Sequence, residues 1–334
     1  MGAWLFGTLI PNILTLLGFQ RESWSYEKMT VAIQSLIMIP YKRLKGVRRN
    51  ATFVEHQYDQ ISGMYIKDNF YQGRDRFSVV DGEVKLISSV ENMRHIRKEM
   101  ASVLSDLDFD TVLEVGVGEL TTLGSISEIF GSNLTLHGVD LSLNRMRHGL
   151  AEYEKRFTGS PTVSKANAIK LPYADNTFDL VYTRHTLEQM PNIYQSALDE
   201  IIRVSRRHVV LFEPSFRLGG WVQKLKMLNT DYVRGISKFL AQKSDVLLSP
   251  PYLMSNSANP LNHTACYRMV VKKSDIPVEE AAPALVCPLT KGILEHRDGY
   301  LLSETASRAY PVIDGIPVLD ETYSFLITSV DRNK

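Results

Sequence analysis

The sequence predicts an α/β protein whose centre is a parallel sheet with helices on its faces. Three observations carry this. Between residues 111 and 214, short apolar runs alternate with longer stretches of helical spacing. The first of these runs ends in Gly and the last is stopped by Pro214, and short apolar runs so bounded suit strands buried on both faces. The stretches between them are long enough to hold the helix that a right-handed crossover between parallel strands requires.

Taken in order, residues 1–88 read as a helical and irregular lead-in. TVLEVGV (111–117) is a buried strand, and LTTLGSISEIF (120–130) a helix closed by Gly131. LTLHGVDL (134–141) and LNRMRHGLAEYEKRF (143–157) repeat the strand and helix. FDLVYTRH (178–185) is a third strand, IYQSALDEIIRVS (193–205) a helix, and HVVLFEP (208–214) a fourth strand stopped by Pro214. The stretch 216–262 is less regular, and ACYRMVVKK (265–273) suits an edge strand. IPVEEAAPA (276–284) reads as a linker before a short tail. The expected organisation is a helical N-terminal region at 1–88, a central domain at 89–275 and a small domain at 285–322.

Bulk properties narrow the classes. The 334 residues include 44% hydrophobic and 22% charged residues, ordinary for a globular chain. A net charge of +1 and a pI near 7.8 supply no field favouring nucleic acid or an acidic partner. Cys266 and Cys287 cannot make a disulfide framework, so a reducing, cytoplasmic setting is the default. At the N-terminus, AWLFGTLIPNILTLLGF (3–19) is too short to span a bilayer and is interrupted by Pro11 and Asn12. MTVAIQSLIMI (29–39) runs into YKRLKGVRR, with five basic residues within 42–49. Two readings stay open for residues 1–49: helices packed on the body or on a second copy in a homodimer, and peripheral contact with an anionic membrane.

VLEVGVGEL (112–120) brings a strand end, two glycines and a helix start together. Glycine there lets a ligand approach bare backbone amides at the carboxyl end of a parallel strand. Asp140 ends the next strand, 22 positions after Gly118, where a carboxylate accepts ribose hydroxyls. Glu114 disfavours a pyrophosphate beside it and suits a ligand carrying positive groups.

The segment ANAIKLPYADNTFDLVYTRHTLEQMPN (166–192), with VLEVGVGEL and GVDLS before it, resembles the class I S-adenosylmethionine-dependent methyltransferase family over roughly residues 105–215. The resemblance implies a Rossmann-like fold, S-adenosylmethionine as cofactor and S-adenosylhomocysteine as product. It puts Glu114, Gly116 and Gly118 at the methionine end, Asp140 on the ribose and Leu141 against adenine. Asn167, where the family usually has Asp, would accept from the adenine amino group, and Ala168 would offer its amide. Thr183, Arg184 and His185 would reach the cofactor from the end of the FDLVYTRH strand. Leu120 departs from the family, which often has a third glycine there.

Methyl transfer from a sulfonium needs alignment and a dry site, and an amine or hydroxyl acceptor must also lose a proton. His185 is the candidate base; its competing role is to brace the cofactor loop. Gln189 is placed to face the acceptor, and Glu213 either to orient a cationic acceptor or to pair with Arg184.

CPLTKGILEHRDGYLLSETASRAYPVIDGIPVLD (287–320) resembles the small zinc-ribbon-like subunit family that activates methyltransferases. Its four metal positions are Cys287, Thr290, Ser303 and Ala306 here, and one thiol cannot hold a tetrahedral zinc. The expectation is a zinc-free domain packed on Leu289, Ile293, Leu301, Tyr310, Val312, Ile316, Val318 and Leu319, with a hairpin turn at Asp314-Gly315. A segment this small must dock on its neighbour. The functional expectation is methyl transfer to O or N of a small-molecule or glycan-type acceptor. The alternatives are an RNA or protein methyltransferase with a fused activator, and a non-catalytic scaffold retaining the pocket.

Overall fold

The computed structural model describes residues 10–45, 49–71, 73–131, 133–272 and 282–327. Residues 3–9 of the apolar N-terminal stretch, Arg48 of the basic cluster and most of the 276–284 linker lie outside the described residues.

Among the described residues the lead-in holds α1 (Ile10–Leu16), α2 (Trp24–Lys45) and α3 (Ala51–Gln60), then a single helical turn at Met64–Ile66 that runs into a π-helical turn at Lys67–Tyr71. Asn50 starts α3 by accepting from the Phe53 N–H, one of the amides a helix leaves unpaired at its start. A hairpin follows, β1 (Asp75–Val80) and β2 (Glu83–Ser88), which the helical expectation for residues 1–88 missed. Its turn is Asp81-Gly82, both at positive φ, the dipeptide that two-residue hairpin turns favour.

The central domain runs α4 (Ser89–Leu104), β3 (Thr111–Val115), α5 (Thr121–Phe130), β4 (Thr135–Asp140), α6 (Leu143–Arg156), β5 (Thr162–Ala166), β6 (Phe178–Arg184), α7 (Tyr194–Val204) and β7 (Ser205–Pro214). Next come α8 (Trp221–Asn229), α9 (Ile236–Leu240), β8 (Val246–Leu248), β9 (Tyr252–Leu253) and β10 (Thr264–Val271). The tail holds β11 (Glu295–Arg297), β12 (Tyr300–Ser303), β13 (Arg308–Ile313), β14 (Ile316–Leu319) and β15 (Phe325–Leu326).

The strand order is β11-β12-β13-β14-β5-β4-β3-β6-β7-β10-β8, with β9 on β10 and β15 on β13. β3 to β7 are parallel to their neighbours, and β10 is antiparallel to β7. This is the Rossmann-like class I methyltransferase architecture. The chain builds outward from β3 in one direction and from β6 in the other, so the carboxyl ends of β3 and β6 flank the point where the strand order reverses. β10 is not an edge strand as expected, because β8 and β9 pair with its far side.

Strand alternation splits the core into two layers. Leu113, Val115, Val139, Ala166 and Leu211 pack with Leu198 and Ile201 of α7. Val112, Leu136, Leu180 and Phe212 pack with Met100 of α4, Ile126 of α5 and Tyr153 of α6. The tail joins the first layer through Cys287, Leu301 and Tyr310, and its β14 pairs in parallel with β5, setting Leu319 opposite Ala166. Its turn at Asp314-Gly315 is as expected, both residues having positive φ. Ile293, expected in the tail core, is instead 84% exposed. Cys287, its thiol against the Tyr310 hydroxyl at 3.4 Å, occupies the interior with Ser303.

Candidate active site

Beyond Val115 the chain leaves the sheet. Gly116 and Val117 both donate their N–H to the Val139 carbonyl, at 2.8 and 3.0 Å, so the turn is folded against the end of β4. Gly116 has φ +81, and a Cβ there would meet the Thr186 hydroxyl at 2.1 Å. At Gly118 a Cβ would strike the Arg145 guanidinium, which lies over the turn. Leu120, where the family often has glycine, sits at φ +55, a conformation that glycine adopts without strain. Its buried side chain is accommodated by Gly149 of α6, whose absent Cβ would lie 2.6 Å from the Leu120 Cδ1.

Asp140 lies beside this turn. Its Oδ2 accepts from the Gly118 N–H at 2.9 Å and its Oδ1 from the Ser142 N–H at 2.8 Å. Those bonds fix the carboxylate and leave each oxygen a free lone pair. Glu114 is 2% exposed and accepts from the Tyr182 hydroxyl at 2.8 Å. Burial pushes its carboxyl up to about 8, against the opposing pull of that hydrogen bond and of the Arg184 charge.

The end of β6 is equally constrained. Thr183 is buried and donates its hydroxyl to Glu213 Oε1 at 2.8 Å. Glu213, itself fully buried, also accepts from the N–H groups of Thr186, Leu187 and Glu188 at 2.9–3.2 Å. It therefore fastens the turn after β6 and makes no pair with Arg184. The Arg184 guanidinium stays buried on the cavity wall, its pKa lowered by burial against the opposing charge of Glu114.

His185 is held at φ +52, a strained conformation for a residue with a Cβ. Its Nδ1 lies 3.2 Å from Glu188 Oε2 and its Nε2 2.8 Å from the Thr264 hydroxyl. With the carboxylate on one side, the consistent tautomer donates from Nδ1 and accepts from Thr264 at Nε2. Glu188 also receives the amides of Asn262 and Gln189 at 2.8 and 2.9 Å. Burial works against its ionisation, but His185 and Asn262 outweigh it and hold its pKa below the usual carboxylate range. Gln189 is bound by Arg49 as well.

The lead-in roofs this floor. Glu119, the second acid of VLEVGVGEL, accepts from the backbone N–H groups of Gly63 and Ile66 at 2.9 and 2.7 Å. Ser142 donates to Asp59. Arg145 is stacked between Tyr58 and Tyr65, 4.8 and 4.9 Å from their ring centres, and its Nε has no hydrogen-bond partner. From the hairpin come Arg76 and Phe77, and from α2 and α8 come Glu27 and Lys226.

The result is a cavity of about 570 Å³ at the carboxyl ends of β3, β4 and β6. Seven of the ten expected cofactor and catalytic residues line it, Glu114, Gly116, Asp140, Leu141, Ala168, Arg184 and His185, and so does Gln189, expected to face the acceptor. Three do not. Gly118 is screened by Arg145, and Thr183 is beneath the surface, bonded to Glu213. Asn167 turns its carboxamide back to the Ile169 N–H at 3.2 Å, closing its own turn. The sequence reading missed Tyr58, Tyr65, Arg145 and Lys226. The Asp81-Gly82 dipeptide, passed over in the sequence reading, is the local signal that could have found the hairpin part of the roof. Among the described residues, no group of three or more His, Cys, Asp or Glu is placed to hold a metal ion.

Residues 113–212 match the family model described as a methyltransferase domain. Over that segment the match and the strand order agree on a methyltransferase domain of the class I fold. The demethylmenaquinone methyltransferase of Anoxybacillus flavithermus is 27% identical over 124 residues, covering 36% of this chain and 52% of that protein. The same enzyme of Alkalihalophilus pseudofirmus is 28% identical over 131 residues, covering 39% and 55%. The chain thus spans about half the length of the curated relatives it matches. Among solved structures, the magnesium protoporphyrin IX methyltransferase of Synechocystis PCC 6803 with bound SAH superposes with a TM-score of 0.50 at 13% identity. The match takes in 66% of this chain and 99% of that one and bears on the fold of the methyltransferase domain alone.

Proposed function

We propose that the protein transfers a methyl group from S-adenosylmethionine to oxygen or nitrogen of a small-molecule acceptor, with S-adenosylhomocysteine as product. The observation that carries this is Glu114: a buried carboxyl pushed up to about 8, on the wall of an adenosine-sized cavity with Asp140 on the next strand. Such a group gains from a cationic ligand, because an adjacent positive charge offsets the burial that opposes its ionisation. When bound, the cofactor supplies a methyl group already activated by its sulfonium. Glu114 would take the ammonium, Arg184 the carboxylate and Asp140 the ribose hydroxyls, while Leu141 would pack on the adenine and Ala168 would offer its backbone N–H to the ring. Gly116 keeps the turn low, and Glu213 holds the chain from Thr183 to Glu188 still.

For His185 the roles of base and brace remain the two readings. Glu188 orients the ring and supports a positive charge on it; an acceptor hydroxyl would have to replace Thr264 at Nε2. The proposed domain bounds are 1–88, 89–275 and 285–322. The tail acts as a built-in cover related to the activator subunits, a reading supported by the way β14 continues the sheet at β5. That likeness keeps an RNA or protein acceptor as the second reading, against the neutral charge balance.

Calorimetry with S-adenosylmethionine tests the core of the proposal. Asp140→Ala should weaken binding about 100-fold, as loss of a buried charged hydrogen-bond partner does; undiminished binding removes the pocket assignment. A chain that binds the cofactor but moves no label into any extract fraction is the non-catalytic scaffold. His185→Ala should slow turnover with cofactor affinity intact if His185 is the base, whereas equal loss of both makes it a brace.

A further inference from the structure

Helix α2 has two unlike faces. On one, Ala32 is buried with Val222 and Leu261, and Trp24 and Val31 pack against them. Lys42, near the end of this helix, donates to the Asn229 carbonyl at 2.7 Å, and Arg49 beyond it to the Thr230 carbonyl at 2.8 Å. Two of the five basic residues of the 42–49 cluster therefore point into the protein.

The other face is bare. Leu36 is 61% exposed, Ile37 42%, Tyr41 53% and Leu44 88%, at spacings that put them on one stripe of the helix. Beside it on the last turn, Arg43 and Lys45 are exposed, and neither has a hydrogen bond or ion pair among the described residues. On the neighbouring α1, Leu16 is 86% exposed. A stripe of this kind is costly in water and marks an interaction surface.

Charge selects the occupant. A second copy of the chain would offer partners for the apolar stripe only and would bring further Arg43 and Lys45 with it. An anionic lipid surface meets both parts: the acyl boundary takes Leu36, Ile37 and Leu44, the interface suits the Tyr41 ring, and the headgroups take the two cations. No helix among the described residues is long and apolar enough to cross a membrane, so contact would be with the surface.

The same helix reaches the cavity. α2 contributes Glu27 to its wall, and α8, packed across α2, contributes Lys226. The cavity wall is thus shared with the two helices behind the stripe. We propose that the stripe on α2 docks the protein on an anionic lipid surface and that the methyl acceptor is a lipid-borne amphiphile bearing a nucleophilic oxygen or nitrogen. The docking stands on its own, whereas the acceptor class rests on the methyltransferase reading. In the transfer, the acceptor lone pair forms the new bond to the methyl carbon. The sulfonium keeps the electrons of the broken S–C bond, and the acceptor proton passes to His185 or water.

The test uses the full chain with phosphatidylglycerol-containing vesicles and pure phosphatidylcholine vesicles. Co-sedimentation should be at least about tenfold stronger on the anionic vesicles, since each surface cation adds roughly 1 kcal/mol. Leu36→Gln with Leu44→Gln should lower binding to both vesicle types, and Arg43→Gln with Lys45→Gln should erase the anionic preference. Calorimetry with S-adenosylmethionine should give wild-type affinity for both double variants, which shows that they fold and separates failure of docking from failure of the cofactor reading. With methyl-labelled cofactor and vesicles of a bacterial total lipid extract, label should enter the organic phase. Equal sedimentation on the two vesicle types, or variants that sediment like wild type, overturns the docking. So does a wild-type dimer that Leu36→Gln with Leu44→Gln dissociates. Label absent from the organic phase while the vesicles bind overturns the lipid acceptor.

Discussion

Residues 10–71 meet the methyltransferase domain mainly through side chains, and residues 282–327 meet it through backbone and core. The lead-in rests on the carboxylates of Glu119 and Asp59 and on the Glu55–Lys165 pair. Few of its apolar residues are buried: Ile10, Leu14, Ala32, Val54 and Ile66. The tail adds a strand to the sheet and places Cys287, Leu294, Leu301, Tyr310 and Leu319 in the same core layer as Val115 and Val139. Polar attachments of about 1 kcal/mol each can be released one at a time, whereas a shared core opens only with the whole domain. The roof of the cavity is therefore built to open and admit a ligand, and the tail is built to stay.

The strongest way to break this contrast is Tyr310→Ala. Removing a fully buried aromatic should cost about 3–5 kcal/mol, read as a lower denaturation midpoint. The fraction that folds should bind S-adenosylmethionine within twofold of wild type; a matching loss of affinity would make the tail part of the site. Next is Glu114→Gln, on the floor beneath the roof. Affinity should fall about 100-fold, near 3 kcal/mol, through loss of a charged partner. Its stability effect has the opposite sign. Below pH 4.5 both folded and unfolded chains hold this proton, and between 4.5 and 8 only the folded chain does. Stability from this group is thus lost as pH rises through 8, and the Gln variant should melt higher than wild type at pH 8 but not at pH 4.

A smaller effect is expected from Glu119→Gln, which weakens the hold on Gly63 and Ile66. The melting shift should be about 1 kcal/mol, with faster amide exchange at Gly63 and Ile66 and about tenfold weaker cofactor binding. Exchange that stays unchanged would show the roof to be held elsewhere. The smallest is Tyr323→Phe, which removes the 2.8 Å bond from the tail to Glu55 of the roof. A cost of about 0.5 kcal/mol is expected for so exposed a bond, and anything above 2 kcal/mol would erase the distinction between the two attachments.

The strands from β3 to β7 were mostly legible because burial on both faces forces apolar runs. β5 was not, since TVSKA holds Ser164 and Lys165 in the stretch that is buried from Val163 onward. Lys165 is tolerated there because its ammonium meets Glu55 and the Leu141 carbonyl, partners that no local pattern reveals. Asp140 and Glu114 were readable from position alone. Asn167 reads as a cofactor ligand in the sequence, and its carboxamide here closes its own turn, as a short amide does as readily as it meets a ligand. Arg145 lies 87 and 80 residues from Tyr58 and Tyr65, the tyrosines stacked on it, and only the folded chain brings the three together and puts the guanidinium over Gly118. Glu119 stood in the quoted motif, but its partners are backbone amides at 63 and 66, which carry no sequence signature.

Lys165 joins the three segments at one atom. Its Nζ donates to Glu55 of the lead-in and to the Leu141 carbonyl beside Asp140, and it lies 4.6 Å from the centre of the Tyr323 ring of the tail. Neither flank is therefore an interchangeable module. A graft that brings in a foreign lead-in or a foreign tail must also supply an acid or an aromatic for this ammonium, or strand a charge beside the Leu141 carbonyl. Inheritance of the two flanks should be linked for the same reason, with changes at 55, 165 and 323 arriving together.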